Sequence, residues 1–234
     1  MLLGLVAVLI FSLTLPVSKF AVLKLHPIFV WAGRAALAAM LAALFLFLAK
    51  AKFPTRQQRR DIFFVTLGVV LGWPGINTYA VMLSTSTQAA VANGLLTLAT
   101  ALIGVGVAKE RPTAGFWALA VLGCVVVMAY ALYRGGGQFA MTDGLFFLGV
   151  CFGGIGYAYG GKAAKSMAGW QVISWALLLG LPITLPLSIY SAPTRLNEID
   201  VMTWTAFLYV AIMSQYIGFF FWYKALALGG IARV

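Results

Sequence analysis

Uncharged apolar stretches of about twenty residues recur along nearly the whole 234-residue chain, and they constrain its fold more than any motif does. Leu95 to Ala108 and Phe116 to Leu132 are two of them, and neither shows the ten-residue apolar–polar alternation of a transmembrane β-strand. A bilayer core about 30 Å thick takes roughly 20 apolar residues per helical crossing. On that length the spans fall at about 2–24, 27–49, 62–83, 86–108, 113–133, 144–161, 170–191 and 203–226. The chain reads as an all-α polytopic membrane protein with eight helices and no segment able to form a separate soluble domain.

Only 9% of residues are charged, against roughly 25% in a soluble domain. The net charge of +11 does not imply nucleic-acid binding, because the basic residues lie between the apolar runs rather than along one solvated face. Loops rich in Lys and Arg stay cytoplasmic during insertion. Lys50, Lys52, Arg56, Arg59 and Arg60 follow helix 2, Lys109 and Arg111 follow helix 4, and Lys162 and Lys165 follow helix 6. The opposite loops offer only Lys24, Arg134 and Arg195, so the amino terminus is expected in the cytoplasm. The first run has no basic segment before it and contains Pro16 and Lys19, so it reads as a span rather than a cleaved signal. Cys124 and Cys151 sit inside apolar runs with no metal-ligand spacing and read as inert thiols.

Two echoes suggest an internal repeat. The span from Gly4 ending in Lys19 and Lys24 has a counterpart from Gly144 ending in Lys162 and Lys165, and Tyr79 to Leu83 is echoed by Tyr223 to Leu228. An offset of five helices, an odd number, places the second copy upside down, which is the inverted-repeat architecture of secondary transporters. The alternative is that any two apolar stretches with a terminal Lys look alike.

Ala108-Lys109-Glu110-Arg111-Pro112-Thr113, followed by Gly115-Phe116-Trp117, resembles the helix 4 to helix 5 junction of EamA-like members of the drug/metabolite transporter superfamily. Lys109 stands where that family usually has glycine, and the start of helix 2, Pro27 to Ala39 with Arg34, is also similar. The resemblance implies ten helices in two inverted five-helix repeats, here 1–137 and an incomplete 138–234, with helices 9 and 10 beyond Val234. It also implies a substrate cavity between the repeats, lined by helices 1, 3, 4, 6, 8 and 9.

The five carboxylates, Asp61, Glu110, Asp143, Glu198 and Asp200, are expected at helix ends or in loops, and His26 in a turn. Without an acid or base at membrane depth, neither an intramembrane hydrolase nor a carboxylate proton relay can be assembled from these residues. Lys19 and Arg34 are the exceptions inside spans, where a cation costs about 3 kcal/mol on insertion scales unless it snorkels, is paired or faces water. Lys19 reads either as a snorkelling side chain or as a contact for an anionic substrate group. Arg34 reads either as a structural lock or as a gating or substrate contact.

Uncharged polar and aromatic groups midway through the spans are the candidate substrate-binding residues: Ser12 and Thr14 in helix 1, Trp73 and Asn77 in helix 3, Asn93 and Thr97 in helix 4. Gln215 and Tyr216 in helix 8 join them, with Tyr157 on helix 6. Each has an equally good structural role, since amides at this depth must be hydrogen-bonded. Pro16 and Trp73-Pro74 interrupt helices 1 and 3, freeing carbonyls for substrate or making hinges, unless they are simple kinks. Gly149-xxx-Gly153 and Gly156-xxx-Gly160 give helix 6 a close-packing or rocking face.

The preferred function is a secondary carrier moving a small metabolite or amino-acid-like solute outward across the bacterial inner (cytoplasmic) membrane. Its expected partners are the bilayer and a small-molecule substrate, with no nucleic acid, no metal and no cofactor, and a homodimer is allowed for. A membrane-embedded enzyme acting on lipid-linked substrates and a non-transporting scaffold are the alternatives.

Overall fold

The structure, a computed structural model, describes residues 2–85, 94–108, 113–134 and 141–231. These form eight apolar helical spans: α1 (Leu2–Ala21), α2 (Phe29–Leu48), α3 (Arg56–Leu83), α4 (Leu96–Ala108), α5 (Ala114–Arg134), α6 (Met141–Ala163), α7 (Gly169–Tyr190) and α8 (Val201–Gly229). Six of them, α1 to α3 and α6 to α8, are long and apolar enough by length and composition to cross a membrane. There is no strand among the described residues. The Lys109 to Pro112 junction and the start expected for helix 4 lie outside the described residues.

The largest departure from the expected boundaries is at α3, which begins at Arg56 rather than near residue 62. Thr55 explains it: its hydroxyl accepts from the Gln58 backbone N–H, and the Gln58 side chain accepts from the Thr55 N–H at 2.9 Å, a reciprocal capping box. The extra turns carry Asp61 into the helix, correcting its placement at a helix end or loop. Asp61 is buried and its Oδ1 lies 2.9 Å from Lys162 Nζ, tying α3 to the end of α6. At α8, Asp200 is the cap, accepting from Thr203 N–H at 2.7 Å, and it also pairs with Lys24. The hydrogen bond from Lys24, then that from Thr203, draws the Asp200 carboxyl down from near 3.8 to about 2. Its contribution is therefore complete above about pH 4 and is lost only as the pH falls through about 2.

α6 packs along α3 and α4, while α7 packs along α2, α3 and α8. α8 in turn runs beside α1 and α2, and α5 touches the rest through α4. The seam between α3 and α6 is made of glycine. A Cβ on Gly68 would lie 2.5 Å from the Gly156 Cα and 2.6 Å from the Phe152 carbonyl oxygen, so the two backbones meet directly. Gly160 makes room for the Tyr223 ring in the same way.

Three of the helices widen to π-helical geometry, at Phe29–Gly33 in α2, Thr66–Gly72 in α3 and Tyr209–Ile217 in α8. The α3 segment has a local cause. The Trp73 N–H bonds five residues back to the Gly68 carbonyl, and the next residue, Pro74, has no N–H to offer. The carbonyls that Pro74 would have served in π or α register belong to Val69 and Val70. Gln215 Nε2 donates to the first at 3.0 Å and Trp31 Nε1 to the second at 3.0 Å, each from another π-helical segment. The carbonyls expected to be freed for a substrate or a hinge thus each accept a hydrogen bond from a neighbouring helix, as polar groups in a bilayer require.

A test of the glycine seam follows. Gly156→Val is expected to lower the melting midpoint of the detergent-purified protein by the equivalent of about 1–3 kcal/mol, the usual cost of overpacking. Gly123→Val on α5, where a Cβ meets nothing within 4 Å, is expected to leave it unchanged. Equal midpoints for the two variants would show that the backbones do not meet at Gly156.

Candidate functional site

Two voids share one wall. The wider, about 260 Å³, lies among Phe11 and Ser12 of α1, Trp73 of α3, Thr97 and Thr100 of α4, Tyr157 of α6 and Trp222 of α8. This is close to the lower end for small-molecule pockets, roughly 300 Å³. Its walls are aromatic: Tyr157 and Trp222 have ring centroids 5.1 Å apart, and Phe11 lies 6.1 Å from Trp222. Two polar atoms in these walls are buried without a hydrogen-bond partner among the described residues, Thr100 Oγ1 and Trp222 Nε1.

The second void is a narrow cleft among Thr14, Ser18, Arg34, Asn77 and Thr78, and Trp73 forms part of its lining as well. Arg34 is 1% exposed and the largest fully buried side chain in the structure's described part. Its Nε and Nη1 meet no hydrogen-bond partner among the described residues, nor do Ser18 Oγ and Asn77 Oδ1. Asn77 uses its Nδ2 on the Trp73 carbonyl at 2.9 Å, and Thr14 shares a 2.7 Å hydrogen bond with Ser214 across to α8.

A match to the EamA-like transporter family spans residues 1–132. The chain belongs to that family. It is 40% identical over 231 residues to the "Uncharacterized transporter YdeK" of Bacillus subtilis (strain 168), covering 99% of this chain and 80% of the relative. A solved structure titled only "Crystal structure of protein" shares the fold at 19% identity with a TM-score of 0.69, covering 99% of this chain and 80% of that one. Family and relative together make this a multi-pass membrane transporter of the drug/metabolite transporter superfamily, acting on a small molecule from within a lipid bilayer.

Of the residues singled out in the sequence, the family member brings Ser12, Trp73, Thr97 and Tyr157 to the wide cavity. It brings Thr14, Asn77 and Arg34 to the cleft. Gln215 and Tyr216 border neither void. Gln215 serves the Val69 carbonyl, and the Tyr216 hydroxyl shares a 2.8 Å hydrogen bond with Ser174 of α7, so both are helix-to-helix ties here. Asn93 lies outside the described residues.

Lys19 reaches the end of α3. Its Nζ donates to the carbonyls of Val81 at 2.8 Å, Met82 at 3.2 Å and Ser84 at 2.7 Å, which closes the end of α3. These are the carbonyls a helix leaves unsatisfied, and the negative end of its dipole favours a cation there.

Sequence reasoning missed Thr100, Trp222, Ser18 and Thr78. Thr100 is one turn from Thr97 and on the same face, a spacing that pointed to it. Ser18 is four residues after Thr14 for the same reason. Trp222 sits in an aromatic run, Phe219 to Tyr223, that offers no positional signal of its own.

Lys19→Met is expected to lower the melting midpoint by the equivalent of about 1–2 kcal/mol, the upper range for a cation at a helix C-terminus, with Lys19→Arg retaining most of the stability. A wild-type midpoint for Lys19→Met would rule out the capping role.

Proposed function

We propose that this chain is a secondary carrier that moves a small metabolite or amino-acid-like solute outward across the bacterial cytoplasmic membrane by alternating access. The observation that carries the reading is the aromatic cavity bounded by α1, α3, α4, α6 and α8, with orphaned polar atoms in its walls. Such a site holds an apolar body by contact and orients it through a few polar groups. Two inverted repeats, 1–137 and 138–234, are part of the reading. In support, α3 and α8 are 28 and 29 residues long, stand in corresponding positions of the two halves, and each turns π-helical near its middle. Interrupted helices in corresponding positions are the usual mark of a carrier's binding site.

Rocking one half against the other would move the glycine seam between α3 and α6, where the two backbones touch. The orientation follows from the basic loops, with Lys50 and Lys52 cytoplasmic and Arg195 outside.

Counterflow in proteoliposomes tests the carrier reading, using labelled amino acids, nucleosides and organic cations. At least one solute is expected to exchange faster than in empty vesicles, and flux no faster than that for the whole panel would sink it. Thr100→Val is expected to weaken transport roughly three- to tenfold while leaving stability intact, since it removes a hydroxyl with no partner among the described residues. Orientation is checked by fusions: a fluorescent protein joined after residue 52 should glow, and alkaline phosphatase joined after residue 195 should be active. The reverse pattern would invert the topology.

A further inference from the structure

Seven buried side-chain polar atoms lack a hydrogen-bond partner among the described residues, and their distribution is uneven. Four belong to Ser18, Arg34 and Asn77 in the narrow cleft, and two to Thr100 and Trp222 in the wide cavity next to it. Only Trp175 Nε1 lies elsewhere. Unmade hydrogen bonds are concentrated where a ligand would make them.

The chemistry of the cleft is that of an anion site. Arg34 is always charged, and its planar guanidinium matches a carboxylate edge with two parallel N–H···O bonds, donated by Nη2 together with either Nε or Nη1. None of the ion pairs formed among the described residues includes it. A cation this deeply buried needs a counter-charge, and breaking such a pair by removing one partner is strongly destabilising. Ser18 Oγ can donate to the same anion, and Asn77 Oδ1 is an acceptor for an N–H or O–H next to it. Trp73 borders both voids and follows directly on the π-helical segment of α3.

We propose that the Arg34 cleft is the anion-binding half of the transport site, so that the solute carries a carboxylate held by Arg34 and Ser18 while its apolar part rests in the wide cavity beyond Trp73. This rests on the carrier reading and names its substrate class. The cleft is too narrow in this conformation for a water-sized group, so the carboxylate enters as the Trp73 wall swings aside. A flat carboxylate suits such a slot better than a tetrahedral phosphate.

The test uses the purified full chain and paired probes, L-leucine and L-phenylalanine against their carboxamides, with inorganic phosphate as a third arm. A ligand that binds the folded state alone raises the melting midpoint. Both amino acids are expected to raise it by several degrees at millimolar concentrations at which the carboxamides and phosphate do not. Arg34→Met is expected to keep or raise the ligand-free midpoint while losing that response. Asn77→Asp, which places a carboxylate in the cleft as an internal counter-charge, is expected to raise the ligand-free midpoint and abolish the response too. The proposal is overturned if carboxamides act as well as carboxylates, if phosphate alone acts, if neither amino acid acts, or if either variant keeps the full carboxylate response. Flux of a carboxamide without any carboxylate effect would overturn this inference and leave the carrier reading standing. Carboxylate binding without flux of any solute would support the anion site and overturn the carrier reading.

Discussion

The π-helical segment of α8, Tyr209–Ile217, is the knot that the rest of the bundle is tied to. Within it the Tyr209 hydroxyl donates to the Ile10 carbonyl of α1 at 2.9 Å, and Ser214 bonds to Thr14 of the same helix. Gln215 reaches the Val69 carbonyl of α3 and Tyr216 reaches Ser174 of α7. Residues 214, 215 and 216 thus reach three different helices from one turn of α8. In hydrocarbon, an unpaired carbonyl has no water to fall back on, so these few side chains decide which irregular backbone the fold can tolerate.

The second constraint runs through Pro74. It removes one donor from α3, and the nearby Val69 and Val70 carbonyls accept from Gln215 and Trp31 of other helices. Trp73, which lines both the wide cavity and the Arg34 cleft, stands between that gap and the regular helix that follows. A π-helical segment and the residue that lines both voids thus meet in one turn of α3. Packing elsewhere is ordinary by comparison: alanines of α2, Ala35 to Ala42, bury fully against α7, and the aromatic rings of α8 fill the space beside α1.

Much of this was legible in the sequence because lipid imposes a long, repeated and unambiguous pattern. The eight helices follow from hydrophobic length alone, and Trp73, Tyr157 and Thr97 stand out as polar or amphipathic groups at mid-span. What stayed hidden depends on contacts between helices that periodicity does not encode. Lys19 looks the same in one dimension whether it snorkels or caps, and only the proximity of the α3 terminus decides. Gln215 and Tyr216 are polar at the right depth, yet their hydrogen bonds go to neighbouring helices, to the Val69 carbonyl and to Ser174. Asp61 was hidden by a capping box that starts α3 earlier than hydropathy suggests. Thr55 and Gln58 were sufficient to reveal it.

The glycine seam has a consequence for which changes the chain can accept. Gly68 and Gly156 bring two backbones into contact, and beside them the notches at Gly72, Gly149 and Gly153 take in Phe152, Asn77 and Trp73 from the facing helix. A methyl group added at any of these positions would have to displace a backbone or a bulky side chain. The seam positions of α6 from Gly149 to Gly156 are therefore written in an alphabet of nearly one letter, and drift in sequence has to take place elsewhere.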